Sequence, residues 1–204
     1  MEIFPAVFLF ALSASITPGP NNVMLMASGM NFGIRASLPH MLGVCLGFTL
    51  MVILVGSGLG FIFDRFPLIH EIIKILGILY LLYLAWRIAR SAPTSLEGGN
   101  PRPFSFLEAA LFQWVNPKAW IMASGAVAAF TTADGAIHLQ VAAITLAFFC
   151  VSFPSAGTWL CFGVGLKKLF ASPGHQQKFN LAMALILVAS ILPVILETVK
   201  ELAP

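Results

Sequence analysis

Six long apolar stretches dominate this sequence of 204 residues and restrict what it can fold into. A helix needs about 20 mostly apolar residues to cross the hydrocarbon core of a bilayer, and all six stretches reach that length. The chain is 59% hydrophobic and 9% charged, with a mean hydropathy of +0.93, whereas soluble domains carry about 25% charged residues. The sequence therefore predicts an all-α integral membrane protein. The six predicted transmembrane helices lie at about 3–28, 38–63, 68–87, 105–130, 138–166 and 179–199.

A segment rich in proline and glycine, residues 91–103, separates the third predicted span from the fourth. It divides the six spans into three plus three, and an odd number of spans in each half makes the halves enter the membrane from opposite sides. This is the geometry of an inverted-topology repeat. We expect one transmembrane domain over residues 1–204, built from half-repeats at about 1–90 and 104–200.

The basic residues predict the orientation of the chain, because cytoplasmic connections carry an excess of Lys and Arg. Alternate connections form two sets, and Lys118 belongs to neither. One set holds Arg35, Arg87, Arg90, Arg102, Lys167, Lys168 and Lys178, and the other holds Arg65, Lys74 and Lys200. Seven basic residues against three place the first set in the cytoplasm and both termini in the periplasm. No positive region precedes the first apolar stretch, which we interpret as a retained span and not as a cleaved signal peptide.

The first predicted span is interrupted by prolines, a glycine and polar residues. The interrupting residues are Thr17, Pro18, Gly19, Pro20, Asn21 and Asn22. Proline lacks the N–H of a helical hydrogen bond, and freed backbone groups at membrane depth are tolerated only inside protein or beside water. A helix that restarts at Val23 would direct its first N–H groups and a partial positive charge into the gap. The break therefore predicts a site for an anionic group such as a carboxylate, with the asparagine amides bonding either the ligand or the freed carbonyls.

The fourth predicted span, which opens the second half, contains a second interruption. Its polar and helix-breaking residues are Gln113, Asn116, Pro117 and Lys118. Two broken helices at corresponding places in two halves indicate a substrate-binding site at the repeat interface, near the middle of the membrane. A single proline usually produces only a kink, but Pro-Gly-Pro with two asparagines, mirrored by Asn-Pro-Lys, favours the site. Lys118 has a competing interpretation, in which its ammonium group snorkels to the membrane surface.

Ionisable residues within or beside the predicted spans are candidates for carrying protons. Glu108 is the candidate coupling residue, and the competing interpretation places it at the cytoplasmic end of the fourth span. All four histidines lie near predicted span ends, where solvated roles are expected. These are His40, His70, His138 and His175.

The residue content argues against several other classes of function. Cys45, Cys150 and Cys161 lie in apolar segments without a CxxC or Cys/His spacing, so we expect neither a disulfide nor a metal site. No HExxH, no paired intramembrane aspartates and no GxSxG occur, so an enzyme is not expected. A net charge of +3 without a basic and aromatic block gives no reason to expect nucleic acid. A structural scaffold would not explain the two breaks. An exporter of divalent metal ions stays open as an alternative, although Lys118 would repel a cation.

Motifs along nearly the whole chain resemble those of the LysE/RhtB family of bacterial amino-acid exporters. The first half has residues 17–22, Gly33 with Arg35, and Gly43-x-x-x-Gly47-Phe48, whose glycine spacing also allows close helix packing. The third span ends in Tyr80-Leu81-x-Tyr83-Leu84-Ala85-Trp86. The second half has Pro103-Phe104-Ser105-Phe106 and Phe112-Gln113-Trp114-Val115-Asn116-Pro117-Lys118. The order and spacing of these motifs are those of the family.

The resemblance implies a bacterial inner-membrane protein of six spans that exports amino acids by proton antiport and alternating access. It is strongest to the RhtB branch, which handles neutral amino acids and derivatives such as homoserine, threonine, cysteine and O-acetylserine. The implied partners are a small amino-acid substrate, protons and the lipid bilayer, with a homo-oligomer left open and no cofactor expected. In this interpretation the helix start after Pro20 binds the substrate carboxylate, and Asn116 with Lys118 completes the site.

Overall fold

A computed structural model describes residues 3–59, 65, 67–90, 102–132, 136–169 and 173–202, and these residues are helical apart from short connections. The fold class is therefore all-α, as predicted. In chain order the elements are α1 (Ile3–Ile16), α2 (Pro20–Leu54) with a π-helical turn (Val55–Leu59), α3 (Pro67–Ala89), α4 (Phe106–Phe112), a 3₁₀ turn (Gln113–Val115), α5 (Pro117–Phe130), α6 (Ile137–Leu169) and α7 (Pro173–Leu202).

The lengths and compositions of these helices fit a protein that crosses a membrane several times. Among the described residues, four stretches are long and apolar enough to span a bilayer: Pro20–Leu59, Glu71–Ala89, Ile137–Lys167 and Gly174–Lys200. Phe4–Ile16 and Phe106–Val115 are shorter apolar helices. Large apolar side chains cover the outer surface. Leu9, Ile121 and Leu139 are exposed by 65%, 69% and 73%. Contact of such an apolar surface with lipid is favourable, whereas its contact with water is unfavourable.

The connection expected between the first and second spans, at residues 29–37, does not form a loop. α2 continues through it and changes direction at Gly33, whose φ of 79° and ψ of 175° lie outside the helical region. This positive φ favours glycine because a Cβ would be strained there. The kink at Gly33 therefore takes the place of the expected connecting loop. His40, for which a solvated role was expected, lies within α2 and is 0% exposed, so that prediction was wrong.

Glycines bring α2 into close contact with two other helices. A Cβ on Gly163 of α6 would overlap the carbonyl oxygen of Met26. On the other part of α2, a Cβ on Gly43 would overlap the carbonyl oxygen of Phe106, and one on Gly47 would lie 2.6 Å from Cα of Ala110. The GxxxG pair therefore packs α2 against α4 within this chain, which confirms the expectation of close helix packing.

Two apolar clusters fill the interior, one on each side of the helix breaks. The boundary between them crosses α2 between Cys45 and Phe48, and it crosses α6 between Val151 and Ala156. Both broken segments approach this boundary. The two breaks therefore lie between two apolar layers.

Two sequence predictions concern residues outside the described part of the chain. Residues 91–101 of the predicted linker 91–103 lie there, and so do residues 60–63 at the end of the second predicted span. Described helices overlap the other predicted spans: α1 with the first part of α2 overlaps the first, α3 the third, α4 with α5 the fourth, and α6 and α7 the last two. The fourth span begins one residue after Ser105, which is the N-cap of α4.

Candidate functional site

The first break separates α1 from α2 by three residues, and its freed carbonyls have donors. α2 begins at Pro20, and the N-cap Gly19 is extended, with φ −175° and ψ 176°. Asn22 Nδ2 donates to the carbonyl oxygens of Ser15 and Thr17, at 2.8 Å each. The indole Nε1 of Trp159, on α6, donates to the carbonyl oxygen of Ile16 at 3.1 Å. The carbonyl groups at the end of α1 therefore have hydrogen-bond donors from other parts of the protein, which freed backbone groups within a bilayer require.

Lys118 reaches across the break from the second half of the chain. Its Nζ donates to the carbonyl oxygen of Thr17 at 2.7 Å, to Thr17 Oγ1 at 2.8 Å and to the carbonyl oxygen of Pro18 at 3.3 Å. The ammonium group therefore sits at the carboxyl end of α1, where the helix dipole favours a positive charge. A Cβ on Gly19 would lie 2.6 Å from Lys118 Cδ, so the glycine leaves the space through which the lysine passes.

The second break lies between α4 and α5 and is capped differently from the first. The chain passes through the 3₁₀ turn to Asn116, which is extended (φ −88°, ψ 108°) and 2% exposed. Asn116 Oδ1 accepts a hydrogen bond from the backbone N–H of Lys118 at 3.2 Å. The start of α5 is therefore capped by its own asparagine, whereas at the start of α2 the cap residue is Gly19, which has no side chain.

One side-chain pair joins the two breaks directly. Asn21 Nδ2 donates to Gln113 Oε1 at 2.8 Å, and Gln113 Nε2 donates to Asn21 Oδ1 at 3.1 Å. Gln113 is 0% exposed and also donates to the carbonyl oxygen of Ala109 at 2.9 Å. The polar residues predicted at the two breaks therefore meet in the interior of the protein.

A cavity of about 50 Å³ with a mixed polar and apolar lining lies where the breaks meet α6. It is lined by Ser15, Gly19, Asn21, Asn22, Val44, Phe48, Asn116, Lys118, Ala119, Met122, Ser152, Ser155 and Ala156. Among the described residues that line it, Lys118 is the one with a charged side chain. The cavity therefore suits a molecule whose buried end is negative.

Five of the ten predicted site residues line this cavity, and the other five support it. Thr17 and Pro18 hold the lysine, and Gln113 holds Asn21. The two remaining prolines, Pro20 and Pro117, are the first residues of α2 and α5. Proline is favoured at the first helical position because the N–H there is not used.

Two serines of α6 belong to the cavity but were missed by the sequence analysis. Ser152 and Ser155 both line it, one helical turn apart. Ser155 Oγ is buried and makes no hydrogen bond within the described residues. A buried hydroxyl without a partner is costly, so a ligand in the cavity is a natural partner for it. The sequence signal that could have identified them was two hydroxyl-bearing residues at i and i+3 of an apolar helix.

The candidate coupling residue Glu108 lies outside the cavity lining. It is the N3 residue of a capping box at the start of α4, where Ser105 N donates to Glu108 Oε2 at 2.8 Å. Arg102 makes a two-pronged ion pair with the same carboxylate, with both N–O distances at 2.9 Å. The hydrogen bond to Glu108 raises the pKa of Arg102. This placement matches the competing interpretation of Glu108 at the end of a span.

The fold defines a multi-pass membrane protein in which two helix interruptions border a small cavity. The family model of the LysE type translocator matches residues 12–195. The chain belongs to this family of membrane translocators.

Individual relatives are similar along almost their whole length. The cysteine/O-acetylserine efflux protein of Escherichia coli strain K12 is 29% identical over 189 residues, which cover 91% of this chain and 94% of that protein. The protein of the same description from Escherichia coli O139:H28 is 29% identical over 190 residues, with 92% and 95% covered. The one from Shigella flexneri serotype 5b is 29% identical over 189 residues, with 91% and 94% covered. No solved structure matches the chain.

Proposed function

We propose that this protein exports small neutral amino acids, of the class that includes homoserine, threonine, cysteine and O-acetylserine, across the bacterial inner membrane. Similar proteins described as cysteine/O-acetylserine efflux proteins support the direction of transport and the substrate class. The chemistry of the cavity supports it independently.

The difference between the two interrupted helices carries the proposal. The first N–H groups of a helix have no acceptor within the helix, and Pro20 contributes none, so the backbone N–H groups of Asn21 and Asn22 are available. The positive end of the helix dipole and the Lys118 ammonium lie beside them. This combination suits a carboxylate. The corresponding position on α5 already has an acceptor in Asn116.

The remaining lining fits the other end of a small amino acid. Asn22 Oδ1 and Ser155 Oγ can accept hydrogen bonds from an amino group. The Asn22 amide nitrogen already bonds the α1 carbonyls. A cavity of about 50 Å³ has room for about four water molecules, which corresponds to a short side chain. Bulky or basic amino acids are therefore disfavoured in this conformation.

Alternating access is proposed to use the two halves of the chain. The interruption before α2 and the interruption before α5 occupy equivalent places if the chain forms six spans in a 3+3 inverted repeat, with half-repeats at about 1–90 and 104–200. Rocking of one half against the other would expose the cavity to each side in turn. Proton antiport would supply the energy, and both termini would face the periplasm.

The alternative, export of a divalent metal ion, is disfavoured by the charge of the cavity. Hard cations take several oxygen ligands, usually including carboxylates. Lys118 places a positive charge in this lining, and no carboxylate is among the lining residues. A cation would be repelled where a carboxylate would be attracted.

The test is export from cells that overproduce the protein. Cells are loaded with a panel of labelled neutral and basic amino acids, with and without a protonophore, and a parallel panel uses divalent metal ions. The proposal expects faster loss of a small neutral amino acid, abolished by the protonophore. An inserted Asn116→Leu variant serves as the control and is expected not to export. Faster loss of a metal ion alone would replace the proposal by the alternative.

A further inference from the structure

A buried histidine lies on α2 beyond the kink, outside the cavity. His40 is 0% exposed, and its Nδ1 lies 2.9 Å from Ser28 Oγ. Ser28 precedes the kink at Gly33 by five residues, and His40 follows it by seven. This hydrogen bond therefore ties together the two parts of α2 that the kink separates.

Two polar atoms at this place lack partners. His40 Nε2 and Ser37 Oγ are buried and make no hydrogen bond within the described residues. The two residues are three apart on α2 and so share one face of the helix. Nearly all buried polar groups in proteins are hydrogen-bonded, so an unpartnered imidazole nitrogen is available to a proton, a water molecule or a ligand. An imidazole nitrogen with a free lone pair is a proton acceptor.

The charged groups near His40 come from three segments. Glu108 of α4 acts electrostatically on the imidazole. Arg102, in the segment before α4, is paired with Glu108. Arg87 of α3 lies 4.7 Å above the ring of Phe104, and that ring lies 5.1 Å from the imidazole. Glu108 thus offers a counter-charge for an imidazolium, and both arginines oppose it.

A second, smaller cavity of about 20 Å³ lies next to the histidine. Ser28, Arg87, Arg102 and Phe104 are among its lining residues. This volume is enough for one water molecule, and Ser28, Asn31 and the two arginines supply polar groups in a partly apolar lining. The cavity therefore gives water access to Ser28, which is the hydrogen-bond partner of His40 Nδ1, from the end of the protein that carries the two arginines.

We propose that His40 is the proton-binding group of the exporter, an inference that rests on the proposed function. In the tautomer where Nδ1–H donates to Ser28 Oγ, Nε2 holds the free lone pair. A proton binds there by forming one N–H bond, and it leaves on the other side of the membrane by breaking that bond. The imidazolium donates a stronger, charge-assisted hydrogen bond to Ser28. Protonation thereby changes the relative position of the two parts of α2. The first of these parts begins at the carboxylate site.

Coupling follows because one rigid segment carries both groups. The segment from Pro20 to Gly33 holds the proposed carboxylate site at its start and Ser28 near its end. If the two arrangements of this segment differ in proton affinity and in substrate affinity, then proton binding changes substrate affinity, and the reverse holds equally.

The experiment uses the full chain in proteoliposomes with the amino acid found by the export panel. Substrate-coupled proton movement is followed with an internal pH dye, and exchange of labelled for unlabelled substrate is followed separately. His40→Gln is expected to reduce coupled proton movement about tenfold or more while exchange persists and loses its pH dependence. His138→Gln, at an exposed position on α6, is the control and should change neither. Persistent coupled proton movement in His40→Gln would overturn the proposal, and so would loss of exchange in a correctly folded variant.

Ser28→Ala decides the question if His40→Gln does not fold. This variant keeps the imidazole but removes its partner, so the pH midpoint of exchange should shift while proton coupling persists. An unchanged pH profile would contradict the proposal. Wild-type protein that exchanges the amino acid without moving protons would overturn the role of His40 and leave the exporter function intact. Wild-type protein that moves no amino acid would overturn the proposed function itself.

Discussion

Asn21 and Gln113 exchange two hydrogen bonds, 2.8 Å and 3.1 Å long, and so join the helix break of the first half to that of the second. The pair is 92 residues apart in sequence. Because each amide donates to the other, both side chains have a hydrogen-bond partner within the protein and do not need water for one. The pair therefore fixes the distance between the start of α2 and the end of α4, and with it the shape of the cavity.

Replacing one member of this pair should cost more than replacing both. Gln113→Leu leaves the amide of Asn21 partly buried without its partner, which should lower the free energy of unfolding by about 1–3 kcal/mol. The double variant Asn21→Leu/Gln113→Leu removes both polar groups and should be less destabilised than the single variant. Thermal unfolding in detergent measures both effects, and neither variant should export. Gln177→Leu is the control, because Gln177 is exposed and its Nε2 bonds the carbonyl oxygen of Ala89. A double variant less stable than Gln113→Leu would contradict this account.

Ser155→Ala should weaken transport without weakening the protein. Ser155 Oγ has no partner within the described residues, so its removal takes away no observed hydrogen bond. The unfolding free energy should stay the same or rise slightly, whereas the apparent affinity for the amino acid should fall, because the ligand loses a hydrogen bond. Ser190→Ala should show the opposite pattern. Its Oγ donates to the carbonyl oxygen of Leu187, so stability falls by about 0.5–1.5 kcal/mol and transport is unchanged. Equal effects of the two variants on affinity would remove Ser155 from the site.

The sequence was informative about where the helices break and uninformative about what fills the breaks. Proline and asparagine have local effects on the backbone, so Pro20 and Asn116 could be placed at helix starts from their neighbours alone. The partners come from elsewhere in the chain. That Trp159 bonds the carbonyl oxygen of Ile16 depends on how α6 packs against α1, which no local pattern records.

Functional residues within regular helices were harder to predict from the sequence than residues at the helix breaks. Ser152 and Ser155 read as ordinary small residues of an apolar span, because their sequence neighbours do not reveal which helix they face. His40 was assigned to a span end because a loop was expected between the first two spans. The kink at Gly33 replaces that loop with a single residue, so the histidine is buried.

Gly163→Ala and Gly157→Ala should differ strongly although both glycines lie on α6. A Cβ at position 163 would overlap the backbone of Met26, which cannot move without separating the two helices. At position 157 a Cβ would meet nothing within 4 Å. We expect Gly163→Ala to destabilise the protein by about 1–3 kcal/mol. Gly157→Ala should be neutral or stabilising by up to about 1 kcal/mol, because alanine is the better helix former. Thermal unfolding of the two purified variants measures the difference, and equal stabilities would contradict the close approach of α2 to α6.

Lys118→Met should weaken the preference of the protein for a substrate with a free carboxylate. The wild type should prefer an amino acid to its carboxamide, because the ammonium group and the start of α2 bind a negative charge. The three N–H groups of the ammonium already bond Thr17 and Pro18, so it acts on the carboxylate through its charge. Loss of this charge should reduce the preference about 10- to 100-fold. Lys118 also donates to the carbonyl oxygens of Thr17 and Pro18, so its removal should slow transport of both compounds. The ratio between the two compounds separates carboxylate recognition from this structural effect.

Competition of the amino acid and its carboxamide against labelled substrate measures that ratio. Lys118→Arg keeps the charge and should retain most of the preference, although the guanidinium cannot reproduce all three bonds of the ammonium group. Lys200→Met, at an exposed position near the end of α7, should behave as the wild type. If Lys118→Met slows transport and still prefers the amino acid to the same degree, Lys118 acts only at the end of α1, and the carboxylate must bind at the start of α2 without it.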